Sequence, residues 1–207
     1  DRFATPPDPE DVNRVRERYQ LHGPFVLYVG NIKPHKNLER LIDAFDLVRR
    51  GGFERLELLI IGDQISKYPR LRRAVDKHKL HKHVRFLGFV ADDTLAALYR
   101  LATVFVFPSL YEGFGLPPLE AMASGTPVVT SNRSSLPEVV GDAAVLVDPY
   151  SAVSMAEGIQ QVLSDAELRR TLSARGLARA RQFSWESSVR RIHEVYMDVA
   201  SMQSSAP

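Results

Sequence analysis

The 207-residue chain is 44% apolar and 25% charged, enough to bury a sizeable core and too ordinary for a disordered or fibrous protein. Its 27 basic and 25 acidic residues leave a formal charge of +2 spread along the chain, which offers no field to attract nucleic acid or an anionic membrane. The lack of cysteine excludes disulfides, thiolate catalysis and cysteine metal sites, and no apolar run approaches the ~20 residues of a spanning helix, so a soluble, cytoplasmic protein is expected.

The chain opens Asp1-Arg2-Phe3 and passes into Thr5-Pro6-Pro7-Asp8-Pro9, a linker-like composition that we read as part of something longer. Pro9-Glu10-Asp11 marks a first helical turn, and Val12, Val15 and Tyr19 carry a short helix to about Leu21. Phe25 to Val29 is a continuous apolar run ending at Gly30, the signature of a strand buried on both faces. Leu38, Leu41, Ile42, Phe45 and Val48 keep a helical period up to Gly51-Gly52, and Asn37 is placed to cap that helix. Leu56 to Asp63 is a second strand, and Leu71, Val75 and Leu80 mark a helix. Val84 to Leu87 is a third strand, followed by a helix over Leu95, Leu98, Tyr99 and Ala102 and a strand at Val104 to Phe107. A helix from Pro117 to about Ser124, a strand at Pro127 to Thr130 and a short strand at Ala144 to Val147 complete the alternation.

From Ser151 onward the pattern is helical only: Met155 to Leu163, Leu168 to Arg181 and Ser184 to Ala200, with a frayed tail after Met202. Strands alternating with helices require crossover connections, so the expected fold class is α/β, a doubly wound parallel sheet with extra C-terminal helices. The expected division is a linker and short helix over 1–23, the α/β domain over 24–182, and a helix and tail over 183–207.

Ligands of such sheets bind at the carboxyl ends of the strands, where four loops gather: Gly30 to Asn37, Gly62 to Ser66, Gly88 to Asp92 and Pro108 to Leu116. In the last, Gly113 and Gly115 leave backbone amides unshielded and Pro117 opens a helix where a missing N–H is harmless, which makes an anion site. Glu112 and Glu120 flank it. Carboxylates repel phosphate but accept hydrogen bonds from sugar hydroxyls, so a ligand with both groups reconciles the pattern. The plainer alternative is that Glu112 caps a turn and Glu120 complements the helix dipole. Lys33 and Lys36 border the same crevice, where a lysine can neutralise a diphosphate leaving group or simply be solvated.

Glu112-Gly113-Phe114-Gly115-Leu116-Pro117-Pro118-Leu119-Glu120 resembles the E-x7-E motif of the family 4 retaining glycosyltransferases, which have the two-domain GT-B fold. Tyr28-Val29-Gly30 with Lys36-Asn37-Leu38, then Ile61-Gly62-Asp63, Phe86 to Val90, Phe107-Pro108-Ser109, Gly125 to Val129, Leu136 to Ala143 and Phe183-Ser184-Trp185 are similar to that family's C-terminal, Rossmann-like domain in order and spacing. The resemblance covers about Phe25 to Tyr196. It implies that residues 24–182 bind a nucleoside diphosphate sugar as substrate, with no metal or other cofactor, and transfer its hexose with retention, as in polysaccharide biosynthesis. Glu112 and Lys36 take the catalytic roles. Phe114, Gly115 and Leu116 offer amides to the donor, Glu120 holds the ribose, and Gly30 and Asn31 line the first loop. Phe89 and Val90 lie where backbone groups meet the base. Asn31 stands where many members carry an arginine, and Lys33 is the candidate substitute. The partner is then the missing N-terminal domain, without which the fragment is expected to be inactive and through which alone any peripheral membrane association arises. The rivals are the corresponding half of a GT-B epimerase or phosphorylase, and a free-standing nucleotide-binding module.

His78, His81 and His83 crowd together, but their lysine neighbours disfavour a cation, and a solvated basic edge is expected in place of a metal site. Trp185, Phe183 and Tyr196 are expected to pack the C-terminal helices onto the core. The family resemblance also implies that the last helix braces the N-terminal domain.

Overall fold

The computed structural model describes residues 3–62 and 65–204, the side chains of 200–204 excepted. Asp63, expected to end the second strand, lies outside the described residues, as does the tail beyond Ser204.

Six strands form one parallel sheet: β1 (Phe25–Val29), β2 (Glu57–Ile61), β3 (Val84–Gly88), β4 (Val104–Phe107), β5 (Val128–Ser131) and β6 (Ala144–Val147). Their order is β3-β2-β1-β4-β5-β6. The chain winds outward from β1 through β2 and β3, then returns to β4 and winds the other way, so the winding direction reverses between β1 and β4. That reversal opens a crevice at the carboxyl ends of those two strands. The central strands β1, β4 and β5 are almost wholly buried, β1 and β4 as unbroken apolar runs and β5 with a buried Thr130 and Ser131 at its end, whereas β3 and β6 at the edges are half-buried.

Right-handed crossovers place α2 (Leu38–Arg50) and α3 (Pro69–Lys77) on one face of the sheet, with α7 (Ala152–Ser164) against α2. On the other face lie α4 (Asp92–Leu101) and α5 (Leu116–Ala123), with α1 (Pro9–Arg18) against α4 and α8 (Ala166–Ala180) against α5. Between β5 and β6 sits α6 (Leu136–Val140), a helix of five residues that apolar periodicity does not announce. The large side chains Tyr28, Tyr99, Phe45, Phe105 and Phe107 are fully buried in the core.

Two helices stop earlier than their apolar residues suggest, for one reason. After α1 the residue Gln20 turns left-handed (φ 52°), and after α3 Lys79 does the same (φ 55°). The amides of Leu21 and Leu80 then reach back to Arg16 and Val75 carbonyls, and both leucines fold into the core. Each is the apolar residue that follows a left-handed cap, not a last helical turn.

The C-terminal helix α9 (Trp185–Ser204) corrects another expectation. Phe183 packs on the core, but Trp185 is 79% exposed and Tyr196 69%. With Val189, Ile192 and Val199 they form an apolar stripe at helical spacing that faces away from the domain.

Candidate functional site

The loops after β1 and β4 meet over the crevice and are stitched together by backbone as well as side chains. The carbonyl of His35 accepts from the Leu110 amide at 2.7 Å and from the Ser109 hydroxyl at 3.0 Å. Pro34–Lys36 forms a single 3-10 turn, and Asn37 follows in the left-handed region (φ 62°). Its side chain does not cap α2. Asn37 is buried, and its Nδ2 donates to the carbonyls of Pro108 (3.1 Å) and Pro149 (2.7 Å), while its Oδ1 accepts from Arg40 (2.8 Å). Asparagine serves here because it tolerates the left-handed conformation and supplies two donors at once. It therefore pins together the loops after β1, β4 and β6.

That pin aims the residue before it. Lys36 Nζ donates to Glu112 Oε1 at 2.6 Å and lies 5.0 Å from the centre of the Phe107 ring; the two charged side chains are only 13% and 14% exposed. Beneath them, the buried Tyr28 hydroxyl donates to the Asn31 carbonyl (3.2 Å). Burial, and then the nearby charge of Glu112, push that phenol far above its ordinary range, so it stays a neutral donor.

The turn from Glu112 to Leu116 enters α5 through Gly115 at φ 127°, where a Cβ would lie 2.9 Å from Leu136. Pro117 and Pro118 remove two of the amides at the start of α5, and those of Phe114, Gly115 and Leu116 have no partner among the described residues. Four residues into α5, Glu120 accepts from the buried Tyr99 hydroxyl at 2.9 Å. Burial raises the Glu120 carboxyl above the usual carboxylate range, and the Tyr99 bond offsets only part of that.

Two site residues escape sequence reading altogether. Ser134, itself left-handed (φ 57°), donates to the Glu112 carbonyl at 2.6 Å and accepts from the Glu112 amide at 3.2 Å. Ser135 donates to the Phe114 carbonyl at 2.6 Å, with the Glu112 carbonyl 3.0 Å away. The signal was their place at the carboxyl end of β5, beside the same crevice. On the far side, Gly62 donates its amide to the Gly88 carbonyl (3.0 Å) and Gly30 donates to Ile61 (2.9 Å), so the ends of β1, β2 and β3 step closely past one another. Phe89 stands 89% exposed at that rim and Val90 turns into the core; Asn31 and Lys33 are exposed, whereas Lys36 is a half-buried cation of the crevice.

The three histidines diverge. His78 is bridged between Asp43 (2.6 Å) and Asp46 (3.0 Å) on α2, His81 pairs with Asp76 (3.1 Å), and His83 meets Arg49 (2.9 Å). His78 is thus a clasp between α2 and α3, not part of a solvated edge. No group of three or more candidate metal ligands occurs among the described residues, and no helix among them is long and apolar enough to cross a membrane.

A doubly wound α/β domain with a cation, two carboxylates and free amides around its switch point belongs to the Rossmann-like class. The family is shown directly: residues 10–179 match the model for glycosyl transferases group 1, and the chain belongs to that family. It is 41% identical over 192 residues to the O-antigen chain mannosyltransferase B of Escherichia coli, an alignment covering 92% of this chain and 50% of that protein. It superposes on the sucrose-phosphate synthase of Thermosynechococcus elongatus with a TM-score of 0.80 at 31% identity, covering 92% of this chain and 49% of that one. Anabaena HepE, solved in complex with UDP and glucose, has the same fold, with a TM-score of 0.84 at 23% identity over 96% of this chain and 55% of its own. The chain spans between 22% and 50% of the length of curated relatives that it matches, and 50% of mannosyltransferase B.

Proposed function

We propose that this chain is the donor-binding half of a retaining hexosyltransferase, which takes a hexose from a nucleoside diphosphate sugar and passes it to an acceptor hydroxyl. The observation that carries this is the Lys36–Glu112 pair at 2.6 Å, beside a turn whose amides lack partners among the described residues. Such a pair binds no phosphate while closed. A diphosphate competes for the ammonium and takes the amides of Phe114 to Leu116, and Glu112, released from Lys36, is then free to accept hydrogen bonds from the hexose hydroxyls. One entering ligand satisfies both halves of the pair. The mannosyltransferase relative supports transfer of a hexose.

In the reaction the bond between the anomeric carbon and the phosphate oxygen breaks, and its electron pair leaves with the diphosphate. The acceptor oxygen bonds to that carbon from the same face, and its proton passes to the departing phosphate. Lys36 and the α5 amides stabilise the negative charge that develops on the leaving group. Glu120, steadied by Tyr99, faces the ribose, and the backbone at Phe89 and Val90 meets the base. The acceptor is expected on another part of the enzyme, so this piece alone should bind donor and transfer little sugar.

Product stereochemistry tests the reading. With the full-length enzyme and an α-configured donor, the one-bond carbon–proton coupling at the anomeric centre of the product should report an α linkage; a β linkage contradicts retention. Isomerised nucleotide sugar, or phosphorolysis without transfer, assigns the chain to an epimerase or phosphorylase instead.

A further inference from the structure

The donor turn is part of a closed ring of contacts that runs through the end of α8. Phe114, on the turn, meets Phe183 edge to face, with centroids 5.8 Å apart and planes at 80°. The Arg179 guanidinium lies 4.9 Å from the centre of the Phe183 ring. Arg179 Nε and Nη2 donate to the carbonyls of Val139 (3.0 Å) and Glu138 (2.6 Å) in α6. Ser135, just before α6, donates back to the Phe114 carbonyl at 2.6 Å, which completes the circuit. The ring borders a partly open cavity of about 220 Å³ lined by residues that include Gly113, Phe114, Ser135, Val139, Arg179 and Phe183. On that side the turn is backed by space, so the ring's contacts work together with the Ser134–Glu112 bonds and the Gly115–Leu136 approach in fixing where its amides point.

We propose that Phe183 and Arg179 are positioning residues for the donor diphosphate: they hold the Phe114–Leu116 amides in the geometry that receives it, about seventy residues away in sequence. The inference rests on the donor-site reading above. Phe114 is half-exposed, so its ring is not anchored by burial. A phenylalanine leaning on a second ring, which a guanidinium holds in turn, is anchored by a chain of weak directional contacts, each of which is lost on truncation.

The test uses the 207-residue chain and the variants Phe183→Ala, Phe183→Tyr and Arg179→Gln, read by calorimetry with UDP, GDP and ADP, by binding of the matching nucleoside, and by nitrogen-15 relaxation of the backbone amides. Phe183→Ala should weaken the diphosphate roughly tenfold, with the nucleoside almost unaffected, and lower the backbone order parameters of the Phe114, Gly115 and Leu116 amides. Phe183→Tyr, which keeps the ring, should restore both. Equal losses for diphosphate and nucleoside, or no loss in Phe183→Ala while the parent chain binds, overturns the inference and leaves the donor site standing. If the parent chain binds no nucleotide, the donor reading fails, and the relaxation data still decide whether the ring holds the turn: unchanged order parameters in Phe183→Ala refute it.

Discussion

The two walls of the crevice are built on opposite plans. The wall made by the loops after β1, β4 and β5 is cross-braced by side chains: Asn37 across three loops, Ser109 onto His35, Ser134 and Ser135 onto the donor turn. In the wall after β2 and β3, the described residues meet through backbone, with Gly30, Gly62 and Gly88 stepping past one another and an exposed Phe89 at the edge. Charge recognition needs donors fixed in direction, because a displaced amide or ammonium loses most of its hydrogen bond. A flat base needs only a smooth surface and a few backbone groups. The bracing thus follows what each wall is proposed to hold.

The plainest way to break the second wall is Gly62→Ala. A Cβ there would sit 2.0 Å from the Gly30 carbonyl oxygen, at φ 150°, so a loss of at least about 3 kcal/mol is expected in denaturant unfolding. On the braced wall, Asn37→Ala removes the side-chain donor to the Pro108 carbonyl, leaves the Pro149 carbonyl only the Arg40 guanidinium at 3.3 Å, and puts alanine in the left-handed region. It should cost about 2–3 kcal/mol by the same measurement.

Glu120→Gln separates stability from binding. The Glu120 carboxyl is raised in the folded chain, so ionising it is harder there than in the unfolded chain, and the native state loses stability as pH rises from the ordinary carboxylate value through the raised one. Glutamine still accepts from Tyr99 but carries no charge. Thermal melts should show the variant gaining on the parent at pH 8 and level with it near pH 3, while its affinity for a ribonucleotide falls. The smallest effect is expected for Phe89→Ala, which should change unfolding free energy by less than about 0.5 kcal/mol, since its ring buries little. If the backbone there meets the base, nucleoside affinity should shift by under about threefold.

Much of this plan could be read from the residues. Unbroken apolar runs mark the buried strands β1 and β4 and also the half-buried edge strand β6, so all three fall where their sequences put them, and the order of strands and helices gives the sheet its winding. Lys36 and Glu112, seventy-six residues apart, were both candidates, and the structure joins them. Asn37 was misread as a cap because its partners lie seventy-one and one hundred and twelve residues away, and a local pattern cannot name them. Ser134 and Ser135 were silent for the same reason: a hydroxyl in a polar loop looks alike whether it faces water or a carbonyl. The apolar period of α9 gives a helix with one apolar face but does not say what that face meets, which is why Trp185 and Tyr196 were placed in the core and stand outside it.

Calorimetric titration of this chain with UDP, GDP and ADP, repeated with Lys36→Ala, tests the central claim most directly. At least one nucleotide should bind, and the variant should lose roughly 10- to 100-fold in affinity for that diphosphate while keeping its affinity for the nucleoside. No binding by any of the three up to millimolar concentration, or equal losses for diphosphate and nucleoside, would contradict it.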